Sequence, residues 1–249
     1  MSSASDNRIP FLSVVIPAWN EESIIARTLR ETREYLSSLP FVSEIIVIDD
    51  GSRDATAARA KDALEGFSHA HVRSFPHNHG KGWAVREGML MARGTYRLFM
   101  DADHSTDIRH METFLPLLAT YDIVIGSRGI AGARLEPPQN LVKRTLGTMG
   151  NLFIQALLLR GISDTQCGFK CFRGNAADDI FHAMSETRWV FDVEALALAR
   201  AYGFSVKEIP VRWVNNVHSK VRPLDYLKSF FDVVRVWQRI HRDFPRYRN

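Results

Sequence analysis

The feature that most constrains this chain is an alternation that runs through its first half. Short, mostly apolar runs, "FLSVVIPA" (11–18), "EIIVIDDGS" (44–52), "AHVRSF" (70–75), "TYRLFMDAD" (95–103) and "DIVIGSR" (122–128), take turns with segments of helical period. Those segments are "EESIIARTLRETREYLSSL" (21–39), "RDATAARAKDALEGF" (53–67), "GKGWAVREGMLMARG" (80–94) and "DIRHMETFLPLLATY" (107–121). A strand that is apolar on both sides must be covered on both faces, and strand–helix–strand order lays successive strands parallel. The expected class is α/β, with a Rossmann-like, mostly parallel central sheet and helices on both faces.

After residue 128 the alternation loosens. "GIAGARLEPPQN" reads as a loop and "LVKRTLGTMGNLFIQALLLRG" as a helix, while "DTQCGFKCF" leads into a short helix. "RWVFDVEALALARAYG" is a further helix, "FSVKEIPVRWV" one or two strands, and "NNVHSKVR" a basic loop. From Pro223 the tail is an amphipathic helix. No repeat or linker divides the chain, and 249 residues suffice for one large core. The expected organisation is a disordered start at 1–10, one domain over 11–222 and a basic helix over 223–249.

In open sheets of this kind ligands sit beyond the carboxyl ends of the strands. Polar residues gather at those ends: Trp19-Asn20-Glu21, Asp49-Asp50-Gly51-Ser52, Asp101-Ala102-Asp103 and Gly126-Ser127-Arg128. Asp101 and Asp103 are one residue apart, so on an extended chain their carboxylates share a face. Crowded carboxylates repel, and a hard divalent cation with oxygen ligands, Mg²⁺ or Mn²⁺, relieves the conflict. Asp also serves solvated turns, so the triplet gains its weight from its place at a buried strand end.

Composition bears on partners and compartment. A net charge of +4 and a pI near 9.2 suit anionic partners without choosing among them. No basic–aromatic module of the nucleic-acid-binding kinds is present, and the acidic strand ends argue against that class. Cys167 and Cys171, the two cysteines, lack a second pair or a His cluster, which fits a reduced, cytoplasmic setting rather than a disulfide or zinc framework. The opening "MSSASDNRIP" has no apolar core of a signal peptide, and "ALLL" (156–159) is far short of a membrane span.

"VVIPAWNEE", "IIVIDDGSRDAT", "HNHGKGWAVREGM", "LFMDADHS", "IGSR", "DTQCGFKCF" and "RWVFDVE" occur in this order. Together they resemble the family 2 glycosyltransferases of GT-A fold, and within them the polyprenyl-phosphate sugar transferases, most of all the dolichyl-phosphate β-glucosyltransferase group. The resemblance covers about residues 12–222. It implies that Pro17, Trp19 and Glu21 line a nucleotide pocket, with Trp19 where the family usually has Tyr. Asp49 or Asp50 would bond the base, and Lys81 would lie near the nucleotide, although a solvated lysine at a helix start fits Lys81 equally. Asp101, Ala102 and Asp103 would frame the donor diphosphate and the metal, with Ser105 where related enzymes carry a Gln ligand.

On the acceptor side the resemblance implies that Arg128, Arg144, Thr148 and Lys220 meet a lipid phosphate. Arg144 reads equally as an exposed helical arginine. Asn216 stands where the mannosyl-type relatives have an Arg, which favours the glucosyl type. Asp164 and Gln166 would contact sugar or acceptor, and Asp192 would lie at the reacting centre; helix-start acids favoured by the dipole are the plainer account of Asp192. Cys167 reads as a small buried residue rather than a nucleophile.

The implied reaction is inverting transfer of a hexose from a nucleotide-sugar, UDP-glucose before GDP-mannose, to a polyprenyl or dolichyl phosphate. A phosphate monoester is ionised near neutrality, its second pKa being about 6, so no strong base is needed. A hydroxyl acceptor would need one, and Asp164 or Asp192 would be the candidates. The tail adds a hint of lipid: Leu224, Leu227, Phe231, Val234 and Ile240 recur at helical spacing among Lys228, Arg235, Arg239, Arg242, Arg246 and Arg248. That pattern suits a peripheral helix on the cytoplasmic face of a membrane, and equally a helix packed on the core. A hydroxyl-acceptor enzyme and a non-catalytic nucleotide-sugar-binding protein remain alternatives, and a homo-oligomer stays open.

Overall fold

The computed structural model describes residues 8–136, 141–214, 223–245 and 247, with the backbone alone at 141–146 and 223–227. The first half follows the alternation: β1 (Leu12–Ala18), α1 (Ile25–Ser37), β2 (Ser43–Asp49), α2 (Thr56–Ala63), β3 (Ala70–Ser74), α3 (Lys81–Met91) and β4 (Tyr96–Met100). A 3-10 turn (Ile108–His110), α4 (Met111–Leu117) and β5 (Ile123–Ser127) follow. The second half holds β6 (Arg134–Glu136), α5 (Leu141–Leu157), β7 (Phe169–Arg173), α6 (Gly174–Ala183), α7 (Phe191–Ala201), β8 (Val206–Pro210), β9 (Arg212–Val214) and α8 (Pro223–Asp243).

Seven strands form the main sheet in the order β3-β2-β1-β4-β7-β5-β8, and β7 alone runs antiparallel. Alternate side chains divide between two cores. Val15, Ile46, Phe99 and Ile125 face a layer containing α3, α6 and α7. Val14, Ile45, Leu98 and Val124 face α1 and α4. Burial on both faces is why these strands read as unbroken apolar runs.

Two strands depart from expectation. "DTQCGFKCF" was expected only to precede a helix, yet its second half is β7, wedged between β4 and β5 with Met100 opposite Phe169 and Phe99 opposite Lys170. A lysine at the centre of the segment hides its buried character. "GIAGARLEPPQN" was expected to be loop throughout, yet Arg134–Glu136 pairs in parallel with β9 in a second, two-stranded sheet. Three residues are too few to show a period.

The C-terminal helix belongs to the same body. Val233, Val236 and Ile240 enter the core shared with α7, while Phe230 and Phe231 are exposed. The expected stripe through Phe231 is thus rotated, because the core that holds α7 takes up Val233, Val236 and Ile240 instead. Among the described residues no helix is long and apolar enough to cross a membrane.

Candidate active site

The Asp-Ala-Asp triplet leaves the sheet where β4 ends. Asp101 N–H donates to Gly168 O at 3.0 Å, so β7 carries the pairing one residue past the strand. The Asp101 carboxylate lies directly over Gly168, where any Cβ would overlap it. Asp101 Oδ1 is buried and pairs with Lys81 Nζ at 2.6 Å. Ala102 is buried, and its carbonyl accepts from Thr28 Oγ1 at 2.8 Å. His104 turns the chain at φ +57°, which brings Ser105 N–H to Asp103 Oδ1 at 3.0 Å. Ser105 Oγ is buried with no hydrogen-bond partner.

Charge is concentrated here. Burial, then the neighbouring Asp101 charge, raises the Asp103 carboxyl above its ordinary range, against the pull of Ser105 and Lys81. Burial alone would weaken the Lys81 ammonium, but Asp101, Asp192 and Asp103 together raise its pKa. These residues fit a divalent cation: two crowded carboxylates and, beside them, a buried hydroxyl with no hydrogen-bond partner. Among the described residues no three His, Cys, Asp or Glu side chains converge, so diphosphate or water oxygens would complete the shell.

The donor side is built from the ends of β1 and β2. Pro17 is buried within β1, and Trp19 stands exposed just beyond it. Glu21 opens the approach to α1, its N–H donating to Thr56 Oγ1 at 2.8 Å. The two candidate base-binding acids separate. Asp50 spends both oxygens on backbone, accepting from His79 N–H and Gly80 N–H at 2.8 Å each. Among the described residues, Asp49 accepts from Ser52 N–H through Oδ1, at 3.2 Å. Asp50 is therefore the clamp of the loop before α3, and Asp49 is left as the candidate for a ligand. Lys81 is no solvated helix-start lysine. Gly80 (φ +113°) and Gly82 on either side press against the 186–188 backbone and Phe191, which aims the side chain at Asp101.

On the candidate acceptor side the acids are paired. Arg128 at the end of β5 is held in a fork by Asp164, with Nε–Oδ2 2.7 Å and Nη2–Oδ1 3.0 Å, and its guanidinium lies 5.2 Å from the Trp213 ring centre. Asp164 is buried, and although burial opposes its charge, Arg128 holds its carboxyl below the usual range. Glu208 fixes the turn by accepting from Ser163 and Asp164 N–H. Asp164 thus orients Arg128. Gln166 donates its backbone N–H to Asp164 Oδ1 at 3.1 Å, and the residue is exposed. Asp192 is bound to the fully buried Lys170, Nζ–Oδ1 2.5 Å, and acts on Lys81 and Asp101 through charge alone. Burial, then Asp164, pushes the Cys167 thiol up to about 12, so it is no nucleophile. Thr148 is exposed on α5, Arg144 is placed there by its backbone alone, and Lys220 and Asn216 lie outside the described residues.

Comparison with known proteins decides the family. The model of "Glycosyl transferase family 2" matches residues 13–181. The chain belongs to this family. It is 35% identical over 240 residues to the dolichyl-phosphate beta-glucosyltransferase of Dictyostelium discoideum, covering 91% of this chain and 73% of that one. The protein of the same name from Drosophila melanogaster is 38% identical over 247 residues, covering 92% and 74%. The human one is 35% identical over 241 residues, covering 90% and 73%. Among solved structures, glucosyl-3-phosphoglycerate synthase from Mycobacterium tuberculosis, in complex with Mn²⁺, UDP and glucosyl-3-phosphoglycerate, superposes with TM-score 0.67 at 20% identity, over 93% of this chain and 80% of that one. The expected GT-A fold stands.

Four residues of this family 2 glycosyltransferase escape a reading of the sequence. Gly168 and Lys170 owe their roles to the antiparallel insertion of β7, and Glu208 and Trp213 to the return of β8 and β9 beside Arg128. Only "CGFK" carried a signal: a glycine and a charge inside an apolar segment.

Proposed function

We propose that this glycosyltransferase moves glucose, with inversion, from UDP-glucose to a polyprenyl or dolichyl phosphate at a membrane surface. The observation that carries the acceptor class is that both candidate bases are taken: Asp164 by the Arg128 fork and Asp192 by Lys170. A hydroxyl acceptor would find neither free to remove its proton, whereas a phosphate acceptor brings its own anionic oxygen. The names of the relatives support the sugar and the lipid, and the UDP and Mn²⁺ of the structural neighbour support the donor and cofactor.

In this reading Trp19 offers a face to the base and Asp49 a hydrogen bond, with Pro17 and Glu21 shaping the pocket wall. Asp101 and Asp103, with Ser105, would hold Mg²⁺ or Mn²⁺, which when bound supplies Lewis acidity toward the departing diphosphate. Lys81 keeps its positive charge beside that diphosphate, because three carboxylates surround it. Arg128, pre-oriented by Asp164 and Trp213, meets the incoming phosphate, and the family resemblance adds Arg144, Thr148 and Lys220 to the acceptor side. Opposed polyanions are thereby held in line, and positioning and electrostatics supply the rate. Exposed Met149 and Leu152 on α5 and Phe230 and Phe231 on α8, with Phe153 stacked on Phe230 at 4.3 Å, give an apolar surface for the lipid side.

The test is product formation by the purified protein from UDP-glucose or GDP-mannose, a short polyprenyl phosphate and Mg²⁺ or Mn²⁺. Glycolipid from UDP-glucose, lost on chelation and in Asp103→Ala, is expected. Glycolipid from GDP-mannose alone would replace the donor, and transfer only to hydroxyl compounds would overturn the acceptor class.

A further inference from the structure

The N-terminus of α3, which aims Lys81 at Asp101, rests on a strap formed by residues 185–188. Gly82 N–H donates to Arg188 O at 3.2 Å and Trp83 N–H to Thr187 O at 3.0 Å. Gly80 and Gly82 lie so close to the carbonyls of Thr187 and Glu186 that no side chain fits between them. The strap is pinned by Glu194 on α7, a fully buried carboxylate that accepts from Ser185 N–H at 2.9 Å, Glu186 N–H at 2.6 Å and Ser185 Oγ at 2.8 Å. Among the described residues, that buried charge is answered by Arg239 of α8, which pairs with Glu194 and donates to Ser185 Oγ and Ala183 O at 2.5 Å each. An unbroken series of contacts therefore joins the C-terminal helix to the Lys81–Asp101 pair.

We propose that Arg239 is a positioning residue for the nucleotide-sugar side of the active site. It holds Glu194 and the 185–188 strap, the strap seats the start of α3, and α3 sets Lys81 against Asp101. The inference rests on the reading of Lys81 and Asp101 as the donor-diphosphate site. It assigns α8 a part in donor binding, which its distance along the chain from the Asp-Ala-Asp turn conceals. Supporting groups of this kind matter because small displacements of a charged group are costly in a preorganised site.

The experiment compares the wild-type chain with Arg239→Lys and with the double variant Arg239→Met/Glu194→Gln, which leaves no unpaired buried charge. Calorimetry gives the Kd for UDP with Mn²⁺, steady-state assays give KM for donor and acceptor separately, and thermal unfolding confirms the fold. The double variant is expected to weaken UDP binding about ten-fold or more and to raise donor KM in parallel. Acceptor KM stays unchanged, and Arg239→Lys recovers part of the loss. Unaltered UDP binding in a folded double variant, or equal damage to donor and acceptor KM, overturns the inference alone. Failure of the wild type to bind UDP overturns the donor-site reading and the inference with it. Should the double variant not fold, Ser185→Ala, which removes one bridging hydroxyl, must shift donor KM in the same direction or the inference falls.

Discussion

Gly168 is where a missing side chain does chemical service: the Asp101 carboxylate occupies the space of its absent Cβ. Adding a methyl in a packed site costs about 1–3 kcal/mol, and the Asp101 turn is the nearest part able to yield. Gly168→Ala is expected to weaken UDP–Mn²⁺ binding about ten-fold or more, as 1.4 kcal/mol is ten-fold in an equilibrium constant; calorimetry on the folded variant checks this. Asp164 offers a contrasting case. Asp164→Asn would leave Arg128, which is largely enclosed, without its counter-charge, at a cost of about 3 kcal/mol. The expected outcome is a lower Tm and a raised acceptor KM, with UDP affinity unchanged. A variant with impaired UDP binding and normal acceptor KM would contradict the division of the site into two sides.

At the level of elements, α8 and the 185–188 strap meet through acids as well as through Arg239. Burial, then Asp232 and Glu194, pushes the Glu186 carboxyl up to about 7, while Arg235 and Arg239 pull the other way. The folded state therefore favours protonated Glu186. Its stabilising contribution is complete below the ordinary value of 4.5 and is lost as pH rises through about 7. Glu186→Gln, which mimics the protonated form, is expected to match the wild-type Tm near the acid end of that window and exceed it at about pH 8. Thermal melts across the window test the sign: a gain confined to acid pH would mean that the strap holds Glu186 ionised.

At the scale of the whole molecule, the Arg128–Asp164 and Lys170–Asp192 pairs occupy both candidate bases, and on the proposed reading the acceptor arrives charged. The expected pH profile of kcat/KM has one rising limb near pH ~6, where a phosphate monoester loses its second proton. Polyprenol lacking phosphate should give no product, and turnover of the free alcohol would refute the assignment of Asp164 and Asp192. Much of this architecture was legible in the residues. The alternation of doubly buried strands with amphipathic helices specified an α/β sheet, and polar residues beyond four strand ends marked the site, because parallel strands bring their carboxyl ends to one side. The Asp-Ala-Asp motif was legible as well, since side chains two apart share a face. What each acid does was not. Asp50, Asp164 and Asp192 look as available in the sequence as Asp49, Asp101 and Asp103. Their partners, the 79–80 amides, Arg128 and Lys170, are 29 and 30, 36 and 22 residues away. The loop before α3, the antiparallel insertion of β7 and the packing of α7 set those partners in place, because a carboxylate's role depends on which charge and how much solvent reach it, and both are properties of the tertiary structure.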